Sequence, residues 1–252
     1  MDIQEAIQII EESPDYEQFK KLKNIFRDRL EELDKNDFTE RGVCYYYLLR
    51  IILRSQVNYE TEECRDSFID MRHEFSKQLR KYKKDGKRFD KQEIGDFFHL
   101  AERCFGSLEI IFRHKDFFEE ERRAFEEKMD YRLAKYRMSG KWFKWLEYSF
   151  LGGTSRYGNS FVRWGGTAFV FAMIMAVVYY ILDVTHLDGA TRMIAEGSHW
   201  YDYVYFSIVT LTSLGFGDIT PHTFIGKFFV SVEVFFGFIM LGIFISLIQK
   251  KM

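Results

Sequence analysis

The sequence predicts an all-α protein in two parts, a charged helical domain followed by a membrane-spanning helical hairpin. Three observations predict it. Of the 74 charged residues, 62 precede residue 151, so two different solvents shaped the two parts. Two stretches after residue 160 are apolar for long enough to cross a bilayer. The first 150 residues contain one proline, Pro14, and their apolar residues recur every three or four positions, the period of a helix with one buried face.

In the N-terminal part, Tyr16, Phe19, Leu22, Phe26, Leu30 and Leu33 follow that period, as do Phe68, Met71, Phe75, Leu79 and Tyr82. Further helices are expected from Phe38 to Arg54, Lys91 to Phe112 and Phe117 to Arg137. A weak duplication relates Ile51-Ile52-Leu53-Arg54 to Ile110-Ile111-Phe112-Arg113, each soon followed by Asn58-Tyr59 or Asp116-Phe117 and an acidic helix. Each unit reads as a helical hairpin. Stacked pairs of this kind resemble tetratricopeptide-like modules in architecture only, because the period is longer and the consensus is missing.

The charges there are balanced, 30 basic against 32 acidic, with no basic stripe or aromatic platform, so no nucleic-acid partner is expected. Runs such as Glu119-Glu120-Glu121-Arg122-Arg123 read as solvated faces with ion pairs three or four apart. His73, His99 and His114 lack metal-ligand spacing, and no nucleophile–base pattern appears, so the chain does not read as an enzyme. Cys44, Cys64 and Cys104 read as three reduced, buried thiols. The N-terminus is acidic and lacks an apolar run, so no secretory leader is expected.

Between Lys141 and Leu151, Lys141 and Lys144 alternate with Trp142, Phe143, Trp145, Leu146 and Tyr148, the pattern of an amphipathic helix lying in a membrane interface; a terminal helix of the soluble domain is the plainer alternative. Gly152-Gly153 is expected to break it. The boundaries are therefore 1–139 for a cytoplasmic helical domain, 140–160 for the interfacial helix and linker, and 161–252 for the membrane domain.

Trp164 to Leu182 is 19 residues without a charge. At 1.5 Å per residue it spans roughly 28 Å, against a hydrocarbon core of about 30 Å. The second span, Phe228 to Ile248, is interrupted only by Glu233. Lys141, Lys144, Arg156 and Arg163 precede the first span and Lys250 and Lys251 follow the second, whereas the connection from Asp183 to Lys227 has only Arg192 and Lys227 as cations, so both termini are expected in the cytoplasm. That connection also holds Asp183, Asp188, Glu196, Asp202 and Asp218. Several copies around an axis would make an acidic vestibule that concentrates cations, although all but Asp218 also read as ordinary solvated loop charges. Within it, Ser198 is positioned to cap a short helix, and Asp202 to Thr212 is aromatic and β-branched enough to be buried.

Next in the chain is the run Thr212-Ser213-Leu214-Gly215-Phe216-Gly217-Asp218. Non-helical backbone at membrane depth is tolerable only inside protein or along a cavity. Rings of backbone carbonyls can replace an ion's hydration shell, and pointing successive carbonyls at one axis needs alternating ordinary and left-handed dihedrals. Gly215 and Gly217 supply left-handed ones without steric penalty. The carbonyls of Ser213, Leu214, Gly215 and Phe216, with the Ser213 hydroxyl, form a ladder of neutral oxygens suited to a weakly hydrated monovalent cation.

On these residues the chain resembles the two-transmembrane potassium channel pore family, whose filter is usually Thr-Val-Gly-Tyr-Gly-Asp. Ser213 stands for the threonine, Leu214 for the valine, Phe216 for the tyrosine and Asp218 for the aspartate. The resemblance implies an outer helix, a re-entrant pore helix and filter, and an inner helix, assembled as a homotetramer in the lipid bilayer with K+ as permeant ion and no organic cofactor. It also implies that Thr212, Asp218 and Glu233 support the filter. Phe216 lacks the phenol that anchors the strand in other members, and Val209 stands where some carry a glutamate. Glu233 is expected behind the filter, protonated or hydrogen-bonded.

Gly237 lies 19 residues after Asp218 and Gly242 lies 24 after it. The resemblance makes them gating hinges; close packing of membrane helices is the alternative. Phe238, Leu241, Ile245 and Gln249 share one helical face with Ser246 beside it, the expected lining of the cavity and a gate that closes by excluding water. The chain stops four residues after Ile248 and no arginine-rich helix precedes the outer span, so any sensor, with an unknown cytoplasmic ligand or protein partner, is expected in the N-terminal domain. Two other readings remain open: a non-selective monovalent cation channel of the same fold, and a membrane-tethered helical scaffold with a vestigial pore.

Overall fold

The computed structural model describes residues 2–12, 18–55, 62–158, 160–185 and 199–249. Among them are ten α-helices and no β-strand, the strand described below being a single segment without β pairing: α1 (Ile3–Glu12), α2 (Phe19–Glu32), α3 (Phe38–Arg54), α4 (Glu62–Asp85), α5 (Lys91–His114), α6 (Phe118–Met138), α7 (Trp142–Ser155), α8 (Phe161–Thr185), α9 (Trp200–Leu211) and α10 (Phe224–Gln249). Pro14, Tyr16, Asn58, Tyr59, Asp188, Arg192, Glu196, Ser198, Lys250 and Lys251 lie outside the described residues. The chain forms two compact units, 1–145 and 146–252.

The N-terminal unit is built on two helix pairs, α3 with α4 and α5 with α6, with α2 packed on α3 and α3 also against α5. The duplicated motifs explain themselves here, because Ile51–Arg54 ends α3 and Ile110–Arg113 ends α5, each just before its pair turns. The periodic aromatics form one core. Phe75 meets Phe97, Phe105 and Tyr131 edge-on, and Phe68 meets Phe105 and Phe112 likewise. Edge-to-face pairs add roughly 0.5–1.5 kcal/mol each beyond their buried area. The three cysteines are free and buried, and burial pushes the thiols of Cys64 and Cys104 up to about 12 and that of Cys44 up to about 11.

Three expectations are corrected. Helix α1 was not foreseen, although Ala6 and Ile10 enter the core with Ile3 and Ile7 packed beside them. The charged runs are not only solvated faces with local pairs. Arg122 does bind Glu119 on its own helix, but Glu121 bonds Arg113 of α5 at 2.8 Å, and Arg132 reaches Glu102 of α5 at 3.1 Å. Gly152-Gly153 does not break α7, which runs through both glycines to Ser155, where Thr154 and Ser155 turn their hydroxyls back to the carbonyls of Phe150 and Leu151. The break comes at Arg156, Tyr157 and Gly158, all with positive φ.

In the membrane unit, α8 and α10 are apolar and long enough to span a bilayer, the spans running Val162–Thr185 and Phe224–Ser246. One side of α8 packs inward through Trp164, Ala172, Met175, Ala176 and Tyr179, while Phe169, Val170, Ile174, Val177 and Ile181 point outward. Such an all-round apolar helix belongs in lipid. The short helix α9 lies against both spans.

Candidate functional site

The site begins with α9. His199, not Ser198, immediately precedes its first turn, and the carboxylate of Asp202 accepts the backbone N–H of His199 at 2.8 Å, half of a capping box. Asp202 is therefore a helix-terminal residue and not merely a loop charge. Asp183 is not solvated either: it is 4% exposed and accepts the Tyr203 hydroxyl at 2.8 Å, tying the top of α8 to α9.

The chain leaves α9 by hooking onto it. Thr212 N–H donates to Ile208, Ser213 N–H to Thr210 and Leu214 N–H to Val209, each at 3.0 Å, and the Thr212 hydroxyl donates to the Ile208 carbonyl. The negative end of the α9 dipole thus sits beside the adjoining strand, a favourable position for a cation. Along that strand φ is +57° at Ser213, +54° at Gly215 and +80° at Gly217, with Leu214 and Phe216 between them outside the left-handed region. Every second residue is left-handed. Two of the three are glycines, which adopt it freely. Ser213 is a side-chain-bearing residue held there, a strain that the hydrogen bonds on either side of it must sustain. Leu214 and Phe216 are 63% and 66% exposed in the single chain.

Asp218 closes the strand. Its carboxylate accepts the Tyr205 hydroxyl at 2.7 Å and the Ile219 N–H at 3.0 Å, and the Tyr205 bond is the main reason its carboxyl is held below the usual range. Tyr205 was not singled out from the sequence. Its signal was faint, one aromatic among several on a short helix.

Glu233 of α10 is fully buried, bonded to α8 and α9. Its Oε2 accepts the Tyr179 hydroxyl of α8 at 2.5 Å, and its Oε1 lies 2.5 Å from Ser207 Oγ of α9. Ser207 Oγ is also 2.8 Å from the carbonyl of Ala172. A hydroxyl has one proton, and here two acceptors are within reach. A protonated Glu233 resolves the conflict by donating to Ser207, which donates to Ala172.

Gly237 packs where α10 crosses the end of α9. A Cβ built there would lie 2.0 Å from the Leu211 carbonyl oxygen, so only glycine permits the approach. Gly242 faces open space. Phe238, Leu241, Ile245, Ser246 and Gln249 are all exposed in the single chain, and the Ser246 hydroxyl donates back to Gly242. Between the strand and α10 runs an open apolar groove lined by Ser213, Val230, Ser231, Val234, Phe235 and Phe238. Among the described residues no cluster of His, Cys, Asp or Glu is arranged to hold a metal ion.

Residues 167–252 match the family model described as "Ion channel". The chain is 33% identical over 64 residues to "Potassium channel protein 1" of Methanocaldococcus jannaschii, covering 25% of this chain and 18% of that one. It is 38% identical over 53 residues to "Probable potassium channel protein 2" of the same organism, covering 20% and 16%. Against "Two pore potassium channel b" of Oryza sativa subsp. japonica it is 29% identical over 89 residues, covering 35% and 24%. Each match thus takes in less than a quarter of the relative's length. No solved structure matches. The region in which two membrane-capable helices flank α9 and a segment of alternating hand is thus similar to ion channels, potassium channels among them, and its two long apolar helices mark a membrane protein.

Proposed function

We propose that the chain is one subunit of a homotetrameric, potassium-selective channel whose filter is the strand Ser213–Gly217. The observation that carries this reading is the alternation of hand at Ser213, Gly215 and Gly217, because it is the backbone requirement for stacking bare carbonyls along one axis. Four copies complete what one leaves open: the exposed side chains of Leu214 and Phe216 and the groove beside Phe235 and Phe238 are apolar surfaces that neighbouring subunits would cover. Thr212, Asp218 and Glu233 hold the strand. Both termini face the cytoplasm, and α7 lies in the inner interface with Trp142, Phe143, Leu146 and Phe150 turned to lipid, all four of which are exposed.

In this reading the face Phe238, Leu241, Ile245, Ser246 and Gln249 lines the inner cavity. With α10 straight, rings of Leu241 or Ile245 close it by excluding water, and a bend in the Gly237–Gly242 region opens it. The N-terminal domain, on rearranging or on binding a cytoplasmic ligand or protein, biases that bend through α7 and α8.

The test is reconstitution of the purified full chain in planar bilayers, with potassium on one side and sodium on the other. The expected reversal potential lies near the potassium equilibrium potential. A value near zero assigns a non-selective cation pore, and a well-folded chain that passes no current assigns a scaffold.

A further inference from the structure

We propose that Trp164 is a gate latch: its indole N–H holds the inner helix in the unbent, closed form by donating to the Met240 carbonyl. The proposal rests on the bending reading above and adds the residue that resists the bend.

The geometry is specific. Trp164 Nε1 lies 2.9 Å from the carbonyl oxygen of Met240, and the two residues are 4% and 8% exposed. Trp164 is in the first turns of α8, and Met240 is in the interior of α10, between Gly237 and Gly242. Upstream of that point α10 is anchored twice, by Glu233 to α8 and α9 and by the seat of Gly237 against the Leu211 carbonyl. Downstream it carries the exposed stripe Leu241, Ile245 and Gln249, and Gly242 meets nothing within 4 Å. Among the described residues, Trp164 makes the one hydrogen bond that joins α10 beyond Gly237 to another helix.

An α10 that bends past Gly237 carries its cytoplasmic half away from the anchored half. The Met240 carbonyl then leaves the indole, and a buried N–H loses its acceptor where water does not replace it. A donor from outside the helix is also a recognised reason for a helix to yield at one point and not elsewhere. The latch therefore sets both the threshold of the bend and its place. Its position on α8 matters too. Two turns earlier the chain rounds the corner at Arg156–Gly158, and the Thr167 hydroxyl lies 3.4 Å from the Thr154 carbonyl of α7. A displaced α7 thus moves the helix turn that bears the indole.

The test uses the full chain in bilayers with two changes at one position. Trp164→Phe removes the N–H and keeps an aromatic ring. Replacing Trp164 with benzothienylalanine, in which sulfur takes the place of the indole N–H, keeps the shape as well and decides the matter if the phenylalanine variant does not assemble. One neutral hydrogen bond corresponds to about 2- to 12-fold in an equilibrium. The open-to-closed ratio is expected to rise at least twofold in either variant, with unitary conductance and reversal potential unchanged. An isosteric variant that gates like the wild type, or opens less, overturns the latch while leaving the channel reading intact. A wild-type chain that conducts nothing overturns the channel reading first and the latch with it.

Discussion

On the channel reading, Tyr205 supplies from α9 the support that neither Phe216 nor Val209 can give, since one has no hydroxyl and the other no carboxylate. Its bond to Asp218 favours the charged carboxylate, so the carboxyl is lowered from its ordinary 3.8. The brace is therefore present above that ordinary value and is lost as pH falls through the lowered one. Tyr205→Phe removes the brace and raises the carboxyl toward 3.8, so the acid inhibition of single-channel current from the outer side is expected to begin at higher pH than in the wild type. An inhibition curve that does not move would separate Asp218 from conduction. Glu233 poses a different question, because its partners are buried with it. Glu233→Gln retains an oxygen for Tyr179 and an N–H for Ser207, so tetramer stability and conductance are expected to persist. Glu233→Ala leaves Ser207 its Ala172 acceptor but strands the Tyr179 hydroxyl, at about 1–3 kcal/mol for the orphaned group, and is expected to lower the melting temperature of the tetramer in detergent. Unchanged open probability in the glutamine variant would leave the residue a structural role alone.

At the scale of elements, the sequence was most legible where one pattern had one cause. Helix α3 runs from Phe38 to Arg54 as its periodicity predicts, and the second span is found within α10 because a long apolar run has few other fates. Legibility failed where tertiary partners outvoted local signals. Gly152 and Gly153 read as a stop, yet the helix continues to Ser155, because a glycine costs a helix only about 1 kcal/mol. Helix α1 is ten residues long, and its apolar positions run only from Ile3 to Ile10, so the pattern was present but short. The left-handed backbone was readable at Gly215 and Gly217, but at Ser213 it was not, since no side-chain rule places serine there. Tyr179 and Trp164 were hidden for another reason. Both sit in an apolar span that reads as lipid-facing throughout, and their polar atoms acquire meaning only from partners 54 and 76 residues away.

At the scale of the whole molecule, the question is whether the two compact units are separable in function. The chain offers a natural place to cut. Helix α6 is terminated at Gly140 with φ +71°, where the Lys141 N–H donates to the Tyr136 carbonyl at 3.0 Å, a left-handed helix stop made entirely by residues 136–141. Helix α7 then begins afresh at Trp142. Deleting residues 1–139 therefore removes the N-terminal domain and leaves α7, with its exposed Trp142, Phe143, Leu146 and Phe150, to settle in the membrane interface. The contacts proposed to support the filter, Tyr205 with Asp218 and Glu233 with Tyr179 and Ser207, all lie within residues 179–233 and survive the cut. The reversal potential in mixed potassium and sodium should accordingly stay where the full chain puts it. Open probability should shift at least threefold, because the unit proposed to bias α7 is gone. A truncated channel that loses its ion preference would mean that the N-terminal domain helps to hold the pore together, and one that gates as before would place the sensor elsewhere.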